Sequence, residues 1–128
     1  MGGQGDIPVA RILVIDDDAL IRSLLRTALE GAGHEVLEAA NGRQGLELYR
    51  EQRADLVITD ISMPEMNGLE MMLDLTRNFL DAKVIAISGM LESEGQLKVA
   101  KLLGARQTFQ KPFDMGKVLS AVRYELVH

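Results

Sequence analysis

The sequence predicts an α/β fold in which a doubly wound, five-stranded parallel sheet lies between helices on both faces. Five short segments rich in β-branched residues alternate with five longer segments of helical periodicity, which is a (βα)5 order. The segments at residues 12–15, 56–58 and 84–87 are almost entirely apolar, as expected for central strands that are covered on both faces. We therefore expect one domain in this chain of 128 residues.

The first two helices have recognisable start and stop residues. Asp18 is a good N-cap for the first helix, and the GAG sequence at residues 31–33 ends it. With Leu24 left partly outside, the predicted buried face consists of Ile21, Leu25, Ala28 and Leu29. The Asn-Gly pair at residues 41–42 indicates a turn before a short second helix, which would bury Leu46 and Tyr49.

The last three helices are bounded in the same way. The third starts after Pro64 and ends near Asn78. Its predicted buried face consists of Leu69, Met72, Leu73 and Thr76. The fourth, at residues 92–103, contains Gly95, which weakens a helix by about 1 kcal/mol relative to Ala, so we expect it to be the most mobile helix. The fifth starts at Asp114. Its predicted apolar stripe consists of Met115, Leu119, Val122 and Leu126.

Composition narrows the function classes. Fourteen Lys and Arg residues against nineteen Asp and Glu residues give a net charge of -5, which opposes generic binding to nucleic acid or anionic lipid. The chain has no cysteine, so disulfides, thiolate nucleophiles and Cys-based zinc sites are excluded. Residues 1–10 are interpreted as a flexible leader without the features of a signal peptide, and no apolar run approaches the ~20 residues that span a bilayer. We therefore predict a cytoplasmic protein that contacts neither nucleic acid nor membrane.

Acidic residues follow two neighbouring strands of the predicted sheet. Ligands of doubly wound sheets bind outside the carboxyl ends of the strands, where residues 16–18 and Asp60 would lie together and repel one another. A Mg²⁺ ion would resolve this repulsion, because it prefers oxygen ligands from one or two carboxylates and keeps several waters. Two alternatives remain open: one acid stays protonated, or the acids serve only as helix caps.

Two further polar residues end strands at the same edge. Taken alone, Ser88 is a plain turn residue and Lys111 is a solvated surface lysine. Together with a metal ion they would neutralise the three equatorial oxygens of a transferring phosphoryl group while Asp60 attacks in line. This arrangement predicts that Asp60 becomes an aspartyl phosphate.

Four motifs in order, IDDD, TDISMPEMNG, AISG and QKPF, carry a resemblance to a known family. Over residues 11–128 the chain resembles a response-regulator receiver domain of two-component signalling, of the chemotaxis-regulator type. The resemblance implies a flavodoxin-like fold with strand order 2-1-3-4-5. It also implies a switch whose catalysis is limited to its own phosphorylation and dephosphorylation.

The resemblance implies a role for each site residue. Asp60 is the phosphoacceptor, and Asp17 and Asp60 bind Mg²⁺ directly. Asp16 acts largely through metal-bound water, and the main-chain carbonyl of Ser62 completes the protein ligands. Ser88 is the hydroxyl that turns toward the phosphoryl group. Lys111 senses that group, and its bond to Pro112 is expected to be cis, whereas Asp18 is expected to cap the first helix.

The chain departs from the family pattern at a few positions. Thr108 stands where many receivers have an aromatic residue that moves on phosphorylation, and Phe109 should point to the opposite face and pack in the core. Ser62 and Met90 are neither acids nor amides that would position hydrolytic water, so we expect a phosphoryl lifetime that is not especially short. His34 is interpreted as solvated surface.

The implied partners are a sensor histidine kinase or histidine phosphotransfer protein as donor, and an output domain or downstream effector protein. A phosphorylation-dependent homodimer is a further possibility. One alternative is a receiver-like interaction module that works without phosphate. Another is a Mg²⁺-dependent phosphohydrolase with an aspartyl nucleophile, which would need an acid at Ser62 and a cap domain.

Overall fold

The computed structural model describes residues 9–62, 68–89 and 93–128. In chain order, the strands are β1 (Arg11–Ile15), β2 (Glu35–Ala39), β3 (Leu56–Asp60), β4 (Val84–Ser88) and β5 (Gln107–Gln110). The helices that alternate with them are α1 (Ala19–Gly31), α2 (Gly42–Glu51), α3 (Gly68–Asn78), α4 (Ser93–Leu102) and α5 (Met115–Val127). The predicted alternation of strands and helices is confirmed.

The strands form one parallel sheet in the order β2-β1-β3-β4-β5. From β1 the chain first adds β2 on one side and then returns to add β3 on the other, so β1 and β3 are hydrogen-bonded neighbours. Ile15 lies opposite Thr59, so the residues that follow β1 emerge beside the end of β3. This is the topological switch point at which doubly wound sheets bind ligands, and the predicted strand order is confirmed.

Alternating residues of the central strands supply two separate cores. Leu13 and Ile15 pack with α2, α3 and α4 on one face of the sheet, and Ile12 and Val14 pack with α1 and α5 on the other. A strand turns successive side chains to opposite faces, so continuous apolar strands fill both layers. The sheet is therefore buried on both sides, and its carboxyl edge is the natural place for exposed chemistry.

Side-chain caps fix where three helices begin. Asp18 accepts a hydrogen bond from the Leu20 amide at 2.9 Å, as predicted, and Asp114 caps α5 through the Gly116 amide at 2.8 Å. Asn41, which we assigned to a turn, is the N-cap of α2. After α1 the chain turns at Gly33, whose φ of 98° lies in the left-handed region that glycine adopts at least cost.

The predicted buried face of α3 was partly wrong. Leu73 is 41% exposed, whereas Met71, Met72 and Leu75 are buried beneath the helix. The buried arc is centred between residues 71, 72 and 75, and Leu73 lies one step beyond it. For α4, residue 92 of the predicted range lies outside the described residues.

His34 was wrongly interpreted as solvated surface. Its side chain is 8% exposed, and its Nδ1 accepts a hydrogen bond from the Ala10 amide at 3.2 Å. Burial lowers the pKa of His34 below its ordinary value. The imidazole therefore anchors the chain just before β1. Within the described residues, no helix is both long and apolar enough to cross a bilayer.

Candidate functional site

Three carboxylates meet at the carboxyl edge of the sheet. Asp16 and Asp17 follow β1, Asp60 ends β3, and one oxygen from each lies within 4.8 Å of the others. Asp16 is 1% exposed and Asp60 is 4% exposed, whereas Asp17 faces solvent. The parallel register of β1 and β3 produces this arrangement, and the predicted proximity of the acids is confirmed.

Lys111 bridges the two buried acids. Its Nζ lies 3.0 Å from Asp60 Oδ2 and 3.0 Å from Asp16 Oδ2. Burial lowers the pKa of Lys111, but its contacts with Asp60 and then Asp16 outweigh that effect and raise the pKa above its ordinary value. The lysine therefore stays charged in the cleft. The bond from Lys111 to Pro112 is cis, as the resemblance implied.

Backbone amides hold both buried carboxylates in place. The Ser62 amide donates to Asp60 Oδ1 at 2.7 Å, and the Asp18 amide donates to Asp16 Oδ1 at 2.8 Å. Arg22, which our sequence analysis did not assign to the site, donates through Nη1 to the Asp16 carbonyl at 2.6 Å. The Asp16 and Asp60 carboxylates are thus oriented before any ligand binds.

The donor set fits a hard divalent cation. Asp16 Oδ2 is buried, and it has an ion pair with Lys111 but no well-directed hydrogen bond among the described residues. Burial raises the pKa of Asp16, while the Asp18 amide and Lys111 lower it; the net direction is upward. Three carboxylates face a single ammonium group, so negative charge is in excess. Oxygen donors without histidine are the ligands that Mg²⁺ prefers.

Two of the three acids, Asp17 and Asp60, open onto a cleft of about 380 Å³, which is lined by Asp17, Asp18, Asp60, Ser62, Gly89 and Lys111. Gly89 makes room for the lysine, because a Cβ at this position would lie 2.9 Å from Lys111 Cδ. Of the predicted site residues, Asp17, Asp60, Ser62 and Lys111 line the cleft, whereas Asp16 and Ser88 are buried beside it. The role of the Ser62 carbonyl as a metal ligand stays a prediction.

Ser88 is fully buried beside this cleft. Its Oγ lies 2.8 Å from Ser62 Oγ and 3.0 Å from Oε1 of Gln96, a residue of α4. Sequence reasoning missed Gln96, because no motif marks a glutamine on the inner side of a helix. Phe109 packs against the α1 and α5 side of the sheet, so the prediction that it lies in the core is confirmed.

Comparison with known proteins gives one consistent result. The family model of the response regulator receiver domain matches residues 12–123. The chemotaxis protein CheY of Thermotoga maritima is 37% identical over 113 residues, which cover 88% of this chain and 93% of that protein. The receiver domain protein of Methanospirillum hungatei JF-1 has a TM-score of 0.85 at 28% identity, covering 93% of this chain and 94% of that one.

A further solved structure is similar over most of the chain. The response regulator TrrA of Thermotoga maritima, solved in complex with Mg(2+)-BeF, has a TM-score of 0.81 at 32% identity and covers 90% of this chain and 97% of that one. The fold, the acidic cluster and these relatives all indicate a phosphorylation-activated switch. The chain belongs to the response regulator receiver domain family of two-component signalling.

Proposed function

We propose that Asp60 accepts a phosphoryl group from a phosphohistidine on a sensor kinase or phosphotransfer protein. The observation that carries this proposal is the buried Asp60 carboxylate, which is bonded to Lys111 at 3.0 Å and lies beside Asp16 and Asp17. An Asp60 oxygen attacks phosphorus, and the P–N bond to the donor imidazole breaks with its electron pair on nitrogen. The imidazole leaves neutral, with the proton that its other ring nitrogen already carried. The product is an aspartyl phosphate. The Asp60 carboxylate loses its negative charge, and the phosphoryl group brings negative charge to the same place.

The residues around Asp60 neutralise the transferred charge. Lys111 supplies a positive charge within hydrogen-bond distance, and Ser88 offers a hydroxyl proton to a phosphoryl oxygen. Asp16, Asp17, Asp60 and the Ser62 carbonyl would hold Mg²⁺, which when bound neutralises charge on the phosphoryl oxygens. Asp16 and Asp60 are already oriented by the Asp18 and Ser62 amides.

Phosphorylation would change partner affinity through the surface formed by α4, β5 and α5. Exposed apolar residues on this surface support a protein partner, such as an output domain, an effector or a second copy: Val99, Leu102 and Tyr124. Leu20 and Leu24 are exposed on α1 and support docking of the phosphoryl donor there. The nearby Arg22 and Arg26 pair with Glu38, so they contribute more to holding α1 against β2 than to a free basic patch.

Several finer assignments belong to the same proposal. We assign residues 11–128 to the receiver domain, residues 1–10 to a leader, and the protein to the cytoplasm, with no action on a separate substrate. The phosphohydrolase alternative is not supported, because Ser62 contacts Ser88 and Gln96 through a hydroxyl that is a poor general acid. The phosphate-independent module has Thr108 as its main support.

Acetyl phosphate with Mg²⁺ tests the proposal. Intact mass should show one added phosphoryl group, which is lost in Asp60→Asn and in the presence of a chelator. Acetate leaves as the P–O bond of the donor breaks, so no kinase is needed. Folded protein that binds Mg²⁺ but forms no adduct would contradict the proposal and favour the phosphate-independent module.

A further inference from the structure

Three side-chain oxygens form a compact cluster beside the acidic cleft. Ser62 Oγ and Ser88 Oγ lie 2.8 Å apart, and each lies 3.0 Å from Gln96 Oε1. Ser62 follows β3, Ser88 ends β4, and Gln96 belongs to α4. The cluster therefore joins two strand ends and one helix next to the proposed phosphoacceptor, whose Oδ1 accepts from the Ser62 amide.

The number of protons in this cluster is smaller than the number of contacts. Each serine hydroxyl has one proton to donate, and the Gln96 oxygen has none. Two hydrogen bonds can therefore form across the three contacts, and at least one of them ends on Gln96. When both serine protons form hydrogen bonds within the cluster, the Ser88 proton is already donated to Gln96 or to Ser62.

A phosphoryl group on Asp60 must compete for that proton. Ser88 is fully buried, so water does not supply an alternative partner, and its hydroxyl must leave one acceptor before it serves another. Gln96 lies on a helix rather than on the sheet, so releasing Ser88 also releases a bond between α4 and the end of β4. The adjacent Gly95 is exposed, and a Cβ at that position would meet no atom of the described residues within 4 Å.

We propose that Gln96 is a positioning residue of the phosphotransfer site, which holds the Ser88 hydroxyl in the resting state and gives it up to a phosphoryl oxygen. The proposal rests on the proposed function of Asp60 and adds the residue that opposes the switch. Under this proposal the site is coupled to α4 by one exchange, in which Ser88 stops donating to Gln96 and donates to the phosphoryl oxygen instead. Thr108, which replaces the usual aromatic residue, is not required for this link.

Beryllium fluoride with Mg²⁺ is the probe, because it stands in for the phosphoryl group without being consumed. Titration followed by ¹⁹F NMR should give an affinity about five-fold higher for Gln96→Leu than for the unchanged protein, since one competing hydrogen bond is lost. Lys98→Leu introduces the same residue at an exposed position of α4 and should leave the affinity unchanged. Unfolding curves show which variants are folded.

The Ser88→Ala background separates positioning from general structural effects. There, Gln96→Leu should no longer change the affinity, because the hydroxyl that Gln96 holds is absent. Gln96→Glu keeps an acceptor and adds a charge. It should weaken binding more strongly when Ser88 is present than in Ser88→Ala, because the charged acceptor holds the proton more tightly. Equal effects of Gln96→Leu in both backgrounds, or no effect in either, would overturn the proposal.

Amide hydrogen exchange without any probe gives a second readout. Gln96→Leu should speed exchange in α4 of the resting protein, and Lys98→Leu should not. Unchanged exchange in Gln96→Leu would also overturn the proposal. If the unchanged protein neither binds beryllium fluoride nor forms an adduct, the function of Asp60 itself fails. If it does both and the Gln96 variants behave like it, the role of Gln96 alone fails.

Discussion

Among the described residues, acidic side chains are buried in two places, and the surroundings of the two places differ in their balance of charge. At the carboxyl edge of the sheet, the buried Asp16 and Asp60 and the exposed Asp17 lie around one cation, Lys111. On α5, Glu125 is a single acid, and it is 4% exposed. Its side chain accepts a hydrogen bond from Gln107 at 3.0 Å and lies 3.6 Å from Arg106.

The difference is the balance of charge rather than the depth of burial. Glu125 has one cation and one amide donor for its single charge, and the Lys83 ammonium donates to its backbone carbonyl. The carboxyl edge has three negative charges for one positive charge. A buried acid whose charge is matched by a cation stabilises the packing of the helices and strands around it. A cluster with more acids than cations is instead suited to bind a metal cation or to react with an electrophile. The exposed fraction of the acids alone would not have distinguished the structural acid Glu125 from the acids of the candidate site.

Replacing one acid at each place gives the largest expected effects and tests the comparison most directly. Glu125→Ala should lower the free energy of unfolding by about 2 kcal/mol, because it removes the acceptor of the Gln107 hydrogen bond and leaves a cavity. Phosphorylation by acetyl phosphate should persist. Asp60→Asn should abolish the adduct with equal or higher stability, because it removes one of three repelling carboxylates. Urea unfolding and intact mass measure the two effects.

Glu47→Ala is the control for Glu125→Ala, because Glu47 is an exposed acid on α2. It should change neither stability nor adduct formation by a measurable amount. A stability loss in Asp60→Asn as large as that in Glu125→Ala would show that the carboxyl edge is also held together by its acids, and the comparison would fail.

Adding Mg²⁺ sharpens the comparison, because the ion should act on the unbalanced cluster alone. At about ten times its dissociation constant, Mg²⁺ should raise the free energy of unfolding by about 1.4 kcal/mol through binding to the folded state. Asp17→Asn should lose most of this gain, and Glu125→Gln should keep it. Equal gains in all three proteins would place the ion elsewhere on the chain.

A smaller effect is expected from Gly89→Ala. The new Cβ would approach Lys111 Cδ to 2.9 Å, so the lysine stem must shift and its ion pairs with Asp16 and Asp60 weaken. We expect slower adduct formation and a loss of about 1 kcal/mol or less in stability. Gly95→Ala is the matched control, since a Cβ there meets no atoms within 4 Å. It should not slow phosphorylation.

The smallest effect concerns His34, a buried base that has no acidic partner among the described residues. Because burial lowers its pKa in the folded state, protonation favours the unfolded chain. The stability it contributes is complete above its ordinary pKa of 6.5 and declines as the pH falls toward the lower pKa of the folded state. Between pH 7.5 and pH 5, the unchanged protein should lose more stability than His34→Gln in urea unfolding. An equal loss of stability in the two proteins over this pH range would contradict the assignment of the pH dependence to His34.

Much of the fold and of the site is readable from the sequence, because the signals are local. Periods of two and of 3.6 residues separated strands from helices, and Asp18 and Asp114 marked helix starts through bonds to amides two residues away. Parallel strands end at the same edge, so acids after two neighbouring strands had to meet. The residue-by-residue roles came from the family resemblance and remain predictions: Asp16, Asp17, Asp60, Ser62, Ser88 and Lys111.

Other features depended on how helices rotate against the sheet, which no local pattern specifies. Gln96 is 34 residues from Ser62, and Glu125 lies 18 residues from Gln107. Leu73 was assigned to the wrong environment for the same reason, and His34 because its partner, the Ala10 amide, is 24 residues away. The sequence by itself determined the order of elements and the acids at the strand ends, because each follows from neighbouring residues. Tertiary structure alone decided which distant side chains complete the site, because the packing of α4 and α5 sets those distances.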